Sequence, residues 1–173
     1  MVYLFTENAV AGFFGEREVR QGAGSGFLRD SSGHVVTNFH VIEGARRVRV
    51  RLESGEAIAA TYVGGTPDYD LAVIRPRRPL STIQPISVGR SDNLQVGQSV
   101  LVIGNPFSLS RTLTTGVISA LDRRLPTATG SDVVSVIQTD AQGGGRRAGR
   151  APSKFSVFRT SPPYCLCMQM ERL

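Results

Sequence analysis

Short runs of apolar and β-branched residues, separated by turn residues, dominate the chain from Gly24 onward. Each run has the length of a strand, and no segment keeps a helical period or repeats another. The runs are Ser25 to Leu28, His34 to Asn38, Arg46 to Leu52, Ala57 to Val63, Leu71 to Ile74, Ser99 to Ile103, Thr112 to Leu121 and Val133 to Thr139. Short strands at this spacing predict an all-β barrel or sandwich.

One of these runs shows a period of two. Between Arg47 and Leu52, arginine alternates with valine or leucine. This alternation is typical of a strand that buries one face and exposes the other. The arginines are therefore expected to form a solvated face.

The pattern changes after Ala141. Residues 142–173 begin with Gln-Gly-Gly-Gly-Arg-Arg-Ala-Gly-Arg, contain the pair Pro162-Pro163 and show no strand alternation. Glycine, proline and clustered like charge at this density disfavour both helix and strand. We therefore expect residues 142–173 to be a disordered tail that does not pack on the fold.

Most of the excess positive charge of the chain lies in that tail. The formal net charge is +6, but residues 1–140 hold 14 arginines, no lysine and 13 acids, a net of +1. Residues 141–173 hold 6 basic and 1 acidic side chains, a net of +5. A nucleic-acid interface needs basic side chains gathered on a folded face. The distribution therefore argues against nucleic acid as a partner.

The composition gives no sign of a metal site, a disulfide framework or a membrane span. Cys165 and Cys167 are the two cysteines, and a pair one residue apart makes neither a disulfide framework nor a four-ligand zinc site. No metal and no cofactor is expected. The chain has no apolar run near the roughly 18 residues of a membrane span and no basic leader, so no membrane insertion is expected.

Two histidines are available for chemistry. His40 ends the string Val-Val-Thr-Asn-Phe-His, where a strand can hold its ring rigidly, whereas His34 follows a turn glycine and is expected to be solvated. Asp70 directly precedes an apolar strand, so its carboxylate is expected to be buried and to need a hydrogen-bond partner. An imidazole N–H is a suitable partner, and such a pair orients a histidine as a general base. Asp68 is the more exposed acid of the turn.

Seven strings of the chain occur in the same order in the Deg/HtrA family of serine proteases. They are residues 24–27 (Gly-Ser-Gly-Phe), 37–42 (Thr-Asn-Phe-His-Val-Ile), 68–73 (Asp-Tyr-Asp-Leu-Ala-Val), 97–100 (Gly-Gln-Ser-Val), 103–107 (Ile-Gly-Asn-Pro-Phe), 112–119 (Thr-Leu-Thr-Thr-Gly-Val-Ile-Ser) and 137–141 (Ile-Gln-Thr-Asp-Ala). The chain therefore resembles this family over residues 24–141. The seven strings are most similar to those of chloroplast members from plants and algae.

The resemblance implies a trypsin-like double β-barrel, with residues 1–23 as a lead-in to a protease domain of residues 24–141. It implies that His40 is the general base and Asp70 the acid that orients it. The family acts without ATP or a cofactor on unfolded or damaged polypeptides and tends to form trimer-based homo-oligomers. A thylakoid-associated chloroplast location is implied, with the bacterial periplasm as the alternative.

One motif of the family is absent from the 173 residues. In the family, the Gln-Thr-Asp-Ala string continues to Gly-Asn-Ser-Gly-Gly, whose serine is the nucleophile, but here the corresponding position is Ala148. Ser25 lacks the G-x-S-x-G pattern. Ser153, Ser156 and the two cysteines have no structured setting that would activate them. The strands that would complete the second barrel are also missing, so that barrel is expected to be incomplete.

Two functions stay open at this point. The chain is a serine-type endopeptidase by descent, or it is a non-catalytic product, a truncated chain or gene-model fragment that binds polypeptides without cleaving them. The absent serine favours the second. A basic adaptor that acts through the tail is a third alternative, supported by the charge of the tail alone.

Overall fold

The computed structural model describes residues 2–12, 15–80, 83–104, 112–126, 132–141, 155–159 and 165–169. Two compact units make up the chain, Met1–Ile86 and Ser87–Glu171. Strands form nearly all of the regular structure in both units, so the all-β prediction is confirmed. Within the ranges just given, no helix is long and apolar enough to cross a membrane.

The first unit is a closed six-stranded barrel with the strand order β1-β2-β3-β6-β5-β4. Neighbouring strands run antiparallel. A one-turn helix, α1, follows β3, and a 3₁₀ turn precedes β6. In chain order the elements are β1 (Val2–Gly12), β2 (Gly15–Leu28), β3 (Val35–Thr37), α1 (Phe39–Ile42), β4 (Arg47–Arg51), β5 (Ala57–Thr66), the 3₁₀ turn (Pro67–Tyr69) and β6 (Leu71–Pro76).

Aliphatic side chains that alternate along the strands fill this barrel. Leu4, Val50 and Ile74 are fully buried, and Val48 and Ile58 are at most 9% exposed. Burying a side chain of this size contributes about 1.5–3 kcal/mol relative to leaving it exposed. The shared core therefore fixes the strands and the turns between them.

The N-terminal residues belong to this barrel, which corrects the expectation that residues 1–23 only lead into it. β1 pairs with β2 along its whole length and with β4 through residues 3–7. Leu4 is 0% exposed on one face of β1 and Phe5 is 4% exposed on the other. A strand buried on both faces shows no polar alternation, so its sequence carries no period of two.

The second unit is a five-stranded sheet with the order β10-β11-β7-β8-β9. Among the strands that the structure describes, no ladder joins β9 to β10, so the predicted incomplete second barrel is confirmed. Its core contains Leu94, Val100, Val102, Ile118, Ile137 and Ala141. The strands are β7 (Ser99–Gly104), β8 (Thr112–Pro126), β9 (Asp132–Thr139), β10 (Phe155–Arg159) and β11 (Cys165–Gln169).

Two of these strands lie in the segment that was expected to be disordered, which corrects that prediction. β10 and β11 pair antiparallel, and β11 runs parallel to β7. The string Phe-Ser-Val-Phe-Arg of β10 is rich in the aromatic and β-branched residues that favour strands, and it is free of glycine and proline. Residues 142–154, 160–164 and 170–173 lie outside the described residues.

Candidate active site

His40 lies in the one-turn helix α1, and not at the end of a strand as expected. β3 ends at Thr37, and Asn38 enters the helix in an extended conformation, with φ −79° and ψ 148°. The amide of Glu43 closes the turn on the carbonyl of Phe39 at 2.9 Å. A single turn is too short to leave a helical period in the sequence.

The helix is seated against β2 at a position where only glycine fits. A Cβ atom on Gly24 would lie 2.6 Å from Cγ2 of Val41, inside the distance at which carbon atoms pack. Val41 is 5% exposed and belongs to the barrel core. Gly24 therefore permits the close approach of the helix that carries His40. Ser25, the next residue, is 4% exposed within β2.

Asp70 follows the 3₁₀ turn in the left-handed conformation, with φ 54° and ψ 39°. Aspartate is one of the few residues besides glycine that visit this region. Its amide donates to the carbonyl of Pro67 at 2.9 Å. Its own carbonyl accepts hydrogen bonds from Asn38 Nδ2 at 2.9 Å and from the Phe39 amide at 3.1 Å. These bonds join the start of β6 to the start of α1.

The side chains of His40 and Asp70 meet as the sequence predicts, across thirty residues of chain. His40 Nδ1 lies 2.7 Å from Asp70 Oδ2, and the His40 amide donates to Asp70 Oδ1 at 2.9 Å. One carboxylate thus holds both the ring and the backbone of the same histidine. The two side chains are only 17% and 10% exposed, so little water competes for these bonds.

The partner of the ring also fixes its tautomer. An ionised carboxylate accepts hydrogen bonds and donates none, so Nδ1 of His40 carries a proton, and in the neutral imidazole Nε2 carries the lone pair. Nε2 is buried and has no hydrogen-bond partner among the residues described. With a lone pair at Nε2, this arrangement can accept a proton from a neighbouring group.

The other two candidate residues lie apart from this pair. Asp68 is exposed in the 3₁₀ turn, as expected. The His34 side chain is 31% exposed at the surface, where its Nδ1 lies 2.8 Å from Asp30 Oδ2 and its amide donates to Asp30 Oδ1 at 3.2 Å. This hydrogen bond to the His34 side chain holds the pKa of Asp30 below its usual range.

Asn38 is a site residue to which the sequence analysis gave no role. It is 4% exposed, and its Nδ2 donates to the Asp70 carbonyl without capping the helix. Its Oδ1 is buried and has no partner within the described ranges. The available signal was a polar side chain in an otherwise apolar string next to the candidate base.

The described part of the second unit reaches the string that precedes the nucleophile in the family pattern. Asp140 Oδ1 accepts the amide of Val117 at 2.7 Å, and a side chain on Gly116 would collide with the Asp140 carboxylate. These contacts hold residues 138–141, the Gln-Thr-Asp-Ala string, against β8. Ala148 and Ser153 lie outside the described residues.

No group of three or more His, Cys, Asp or Glu side chains is arranged to hold a metal ion in the part of the chain that the structure describes. The side chains of Cys165 and Cys167 are not included in that part. The chemistry that the described site offers is acid–base chemistry at His40.

Proteins named as proteases are similar to this chain in sequence. A family model of the trypsin-like peptidase domain matches residues 24–149. "Protease Do-like 1, chloroplastic" from Arabidopsis thaliana is 53% identical over 125 residues, which are 72% of this chain and 28% of that protein. A "probable periplasmic serine endoprotease DegP-like" from Halomonas elongata is 40% identical over 127 residues, which are 73% of this chain and 26% of that protein.

A solved structure is similar as well. The HtrA-type protease AlgW with a decapeptide matches at a TM-score of 0.65 and 28% identity, over 81% of this chain and 47% of that chain. The chain thus spans about half of that structure and less than a third of the two sequence relatives.

Proposed function

This chain belongs to the family of trypsin-like peptidase domains, with Deg/HtrA proteases as homologues, and on that premise we propose that His40 and Asp70 are the general base and orienting acid of a serine-type endopeptidase site. One observation carries the proposal. It is the 2.7 Å contact between His40 Nδ1 and Asp70 Oδ2, which leaves Nε2 buried with no partner among the described residues.

The chemistry of such a site requires both residues. Nε2 of the histidine takes the proton of a serine hydroxyl as its oxygen attacks the substrate carbonyl, and it later returns the proton to the leaving amine. In this role Asp70 keeps the proton on Nδ1 and stabilises the imidazolium that forms. Because its second oxygen accepts the His40 amide, the carboxylate also restricts rotation of the histidine.

The nucleophile of that reaction is absent from the 173 residues, since Ala148 stands where the family pattern has serine. We therefore propose that this chain binds polypeptide segments without cleaving them. Related enzymes that lose a triad member keep roughly 10³–10⁴ of rate over water, supplied by the oxyanion hole and substrate binding. The family's oxyanion donors belong to the same absent loop, and removing even one donor costs about 10²–10³.

The proposed ligands are unfolded or damaged polypeptides, handled without ATP. The structure of AlgW with a decapeptide supports a peptide as the ligand class. The proposed protease domain is residues 24–141, with β1 completing its first barrel. The names of the relatives support a chloroplast location, or the bacterial periplasm as the alternative. Thylakoid association is proposed from the family alone. A trimer-based homo-oligomer is proposed from the family alone.

An active endopeptidase is the second candidate, and it requires a longer version of this chain. Its support is the 53% identity with a protein of which this chain spans 28%. Sequencing the transcript downstream of the codon for Ala141 tests it directly. An in-frame Gly-Asn-Ser-Gly-Gly at that place supports the active enzyme.

Digestion of casein tests the first candidate. The purified chain is incubated with reduced casein, and a His40→Ala variant serves as the control for a contaminating protease. We expect binding of labelled casein with no fragments beyond those of the control. Casein fragments that form with the chain and disappear in the His40→Ala variant would contradict the proposed inactivity.

A further inference from the structure

Two rows of arginines stand on the outer surface of the first barrel. Arg49 and Arg51 of β4 alternate with the core residues Val48 and Val50, so they point away from the core. Arg47 continues this first row at the start of the strand and is exposed.

The second row begins on β6. Arg75 and Arg77 are exposed, and they alternate with Ile74 and Pro76, which are buried. Arg77 follows the last residue of β6, and its amide donates to the carbonyl of Ala59 on β5 at 2.8 Å. The second row therefore stays attached to the sheet beyond the end of the strand.

β5 lies between the two rows and presents small side chains. Ala59 is paired with Arg49 on one side and bonded to Arg77 on the other, and Thr61 is paired with Arg75. Neighbouring strands are about 4.8 Å apart, so the rows stand roughly 10 Å apart. We call this surface the basic trough: the rows Arg47, Arg49, Arg51 and Arg75, Arg77 with the floor Ala57, Ala59 and Thr61.

Three of the five arginines of the basic trough form no ion pair in the part of the chain that the structure describes. Arg49 Nε lies 3.2 Å from Glu7 Oε2 in an ion pair that lacks hydrogen-bond alignment. In the described part of the chain, no carboxylate forms an ion pair with Arg51, Arg75 or Arg77. Like charges this close on one sheet face repel each other. Residues 1–140 carry a net charge of only +1, so the trough is a local concentration of charge.

Two more acids lie at one end of the trough. Glu56, just before β5, pairs with Arg78, which follows the second row. Glu53 lies in the turn after β4 and is exposed. Both acids lie at the edge of the basic trough, and its floor of Ala57, Ala59 and Thr61 carries no acid.

We propose that the basic trough binds an acidic segment of polypeptide in an extended conformation. Side chains on one side of an extended chain repeat every two residues, about 6.6–6.8 Å, which is also the interval between successive arginines along β4. Acidic side chains at every second residue can therefore all face the trough, each within reach of an arginine row. The planar fork of arginine matches a carboxylate with two hydrogen bonds. This site goes beyond the proposed peptidase function and does not depend on a nucleophile.

The composition of the trough favours a peptide over single-stranded nucleic acid. Proteins that bind single strands stack bases on exposed aromatic rings, and the floor of Ala59 and Thr61 offers none. The nearby rings of Tyr3 and Phe5 are on β1, and Phe5 is 4% exposed. Carboxylates between the rows therefore suit this surface better than bases.

Fluorescence anisotropy of the full chain tests the proposal with a labelled peptide of repeating Glu-Ser. The test variant combines Arg51→Gln, Arg75→Gln and Arg77→Gln, and the matched control combines Arg90→Gln, Arg123→Gln and Arg124→Gln, which remove the same charge elsewhere. Each exposed ion pair is worth a few-fold in affinity, so the test variant should bind about tenfold more weakly and the control within about twofold of the parent. Added salt should weaken binding of the parent most.

Circular dichroism melts of all three proteins check folding, and the three single variants, each expected to lose about twofold in affinity, provide a second measurement. Equal affinity of parent and test variant would overturn the proposal. So would tighter binding of an oligothymidylate, or of phosphatidylglycerol vesicles, that is lost in the same test variant, because the trough would then serve phosphates. A Lys-Ser peptide must fail to bind.

Discussion

The first barrel contains two histidine–aspartate pairs with the same bonding pattern and different surroundings. In each pair one carboxylate oxygen meets ring Nδ1, at 2.8 Å for His34 and 2.7 Å for His40, while the other accepts the amide of that histidine. Asp30 lies four residues from His34, whereas Asp70 lies thirty residues from His40. The first pair is 31% and 38% exposed, the second 17% and 10%.

The difference between the pairs lies in what holds each acid. Asp30 is placed by a local turn at the surface, where water competes for its oxygens. Asp70 is placed by closure of the barrel, and its left-handed backbone is bonded to Asn38 and Phe39. A hydrogen bond in a buried environment is electrostatically stronger than one in water. A short histidine–aspartate distance is therefore common to both pairs, and what distinguishes the His40 pair is its burial, which includes the Nε2 atom.

Asp70→Asn should have the largest effect on the ring tautomer of its histidine and on the free energy of unfolding. The new amide can still accept the His40 backbone N–H, but its NH₂ group faces Nδ1 and drives the ring to the Nε2–H tautomer. Hydrogen bonds to charged groups contribute about 1.5–3 kcal/mol, so the free energy of unfolding should fall by about 2 kcal/mol. Nitrogen-15 chemical shifts of the ring report the tautomer, and urea denaturation reports the stability.

Asp30→Asn is the matched control for that experiment. It makes the same chemical change in the exposed pair, and it should leave the tautomer of His40 and the stability nearly unchanged. Retention of the Nδ1–H tautomer in the Asp70→Asn protein would contradict the assigned bonding of His40.

Asn38→Ala should have an intermediate effect. The substitution removes the buried 2.9 Å bond from Nδ2 to the Asp70 carbonyl, a loss of about 1 kcal/mol. It also loosens the left-handed backbone of Asp70, so the Nδ1 proton of His40 should exchange faster with water. Urea denaturation and the exchange rate of that proton, followed by NMR, measure the two effects.

Thr37→Val controls for simple destabilisation by Asn38→Ala. Thr37 Oγ1 donates a buried bond of 2.9 Å to the Ser25 carbonyl, one residue away from Asn38 in sequence. Its loss should cost a similar free energy of unfolding without faster exchange at His40. Equal exchange rates in the two variants would show that Asn38 contributes only to general stability.

The buried pair could be predicted from the sequence because each of its two residues lies in a short string with a strong local signal. Asp70 stands before an apolar strand, where an unpaired carboxylate is costly, and His40 lies in a string shared with a known family. Strand β4 follows from the alternation of arginine with valine or leucine, and β6 from its run of apolar residues. These features survive in sequence because one face of each strand meets the core.

Other features leave no such signal. β1 is buried on both faces, so the adjacent residues Leu4 and Phe5 are both apolar and the sequence shows no alternation of polar and apolar residues. Helix α1 is one turn long, and the bond between His34 and Asp30 depends on the turn geometry of residues 30–34. The role of Asn38 depends on a left-handed residue thirty-two positions away in the chain. Local patterns cannot report contacts that closure of the barrel creates.

The exposed pair should show the smallest effect, a dependence of stability on pH. The hydrogen bond from His34 lowers the pKa of Asp30 below its usual 3.8, so the folded state favours the ionised carboxylate. A depressed folded pKa contributes stability that is fully present above the unfolded value and is lost as the pH falls through the folded value. Carbon-13 NMR of the Asp30 carboxyl should therefore give a midpoint below 3.8, and His34→Gln should move it upward. Because the pair is exposed, salt should weaken the shift, and thermal melts below pH 4 should differ only slightly between the parent and Asp30→Asn. A midpoint that is unchanged by His34→Gln would mean that the turn alone, and not the imidazole, sets the acidity of Asp30.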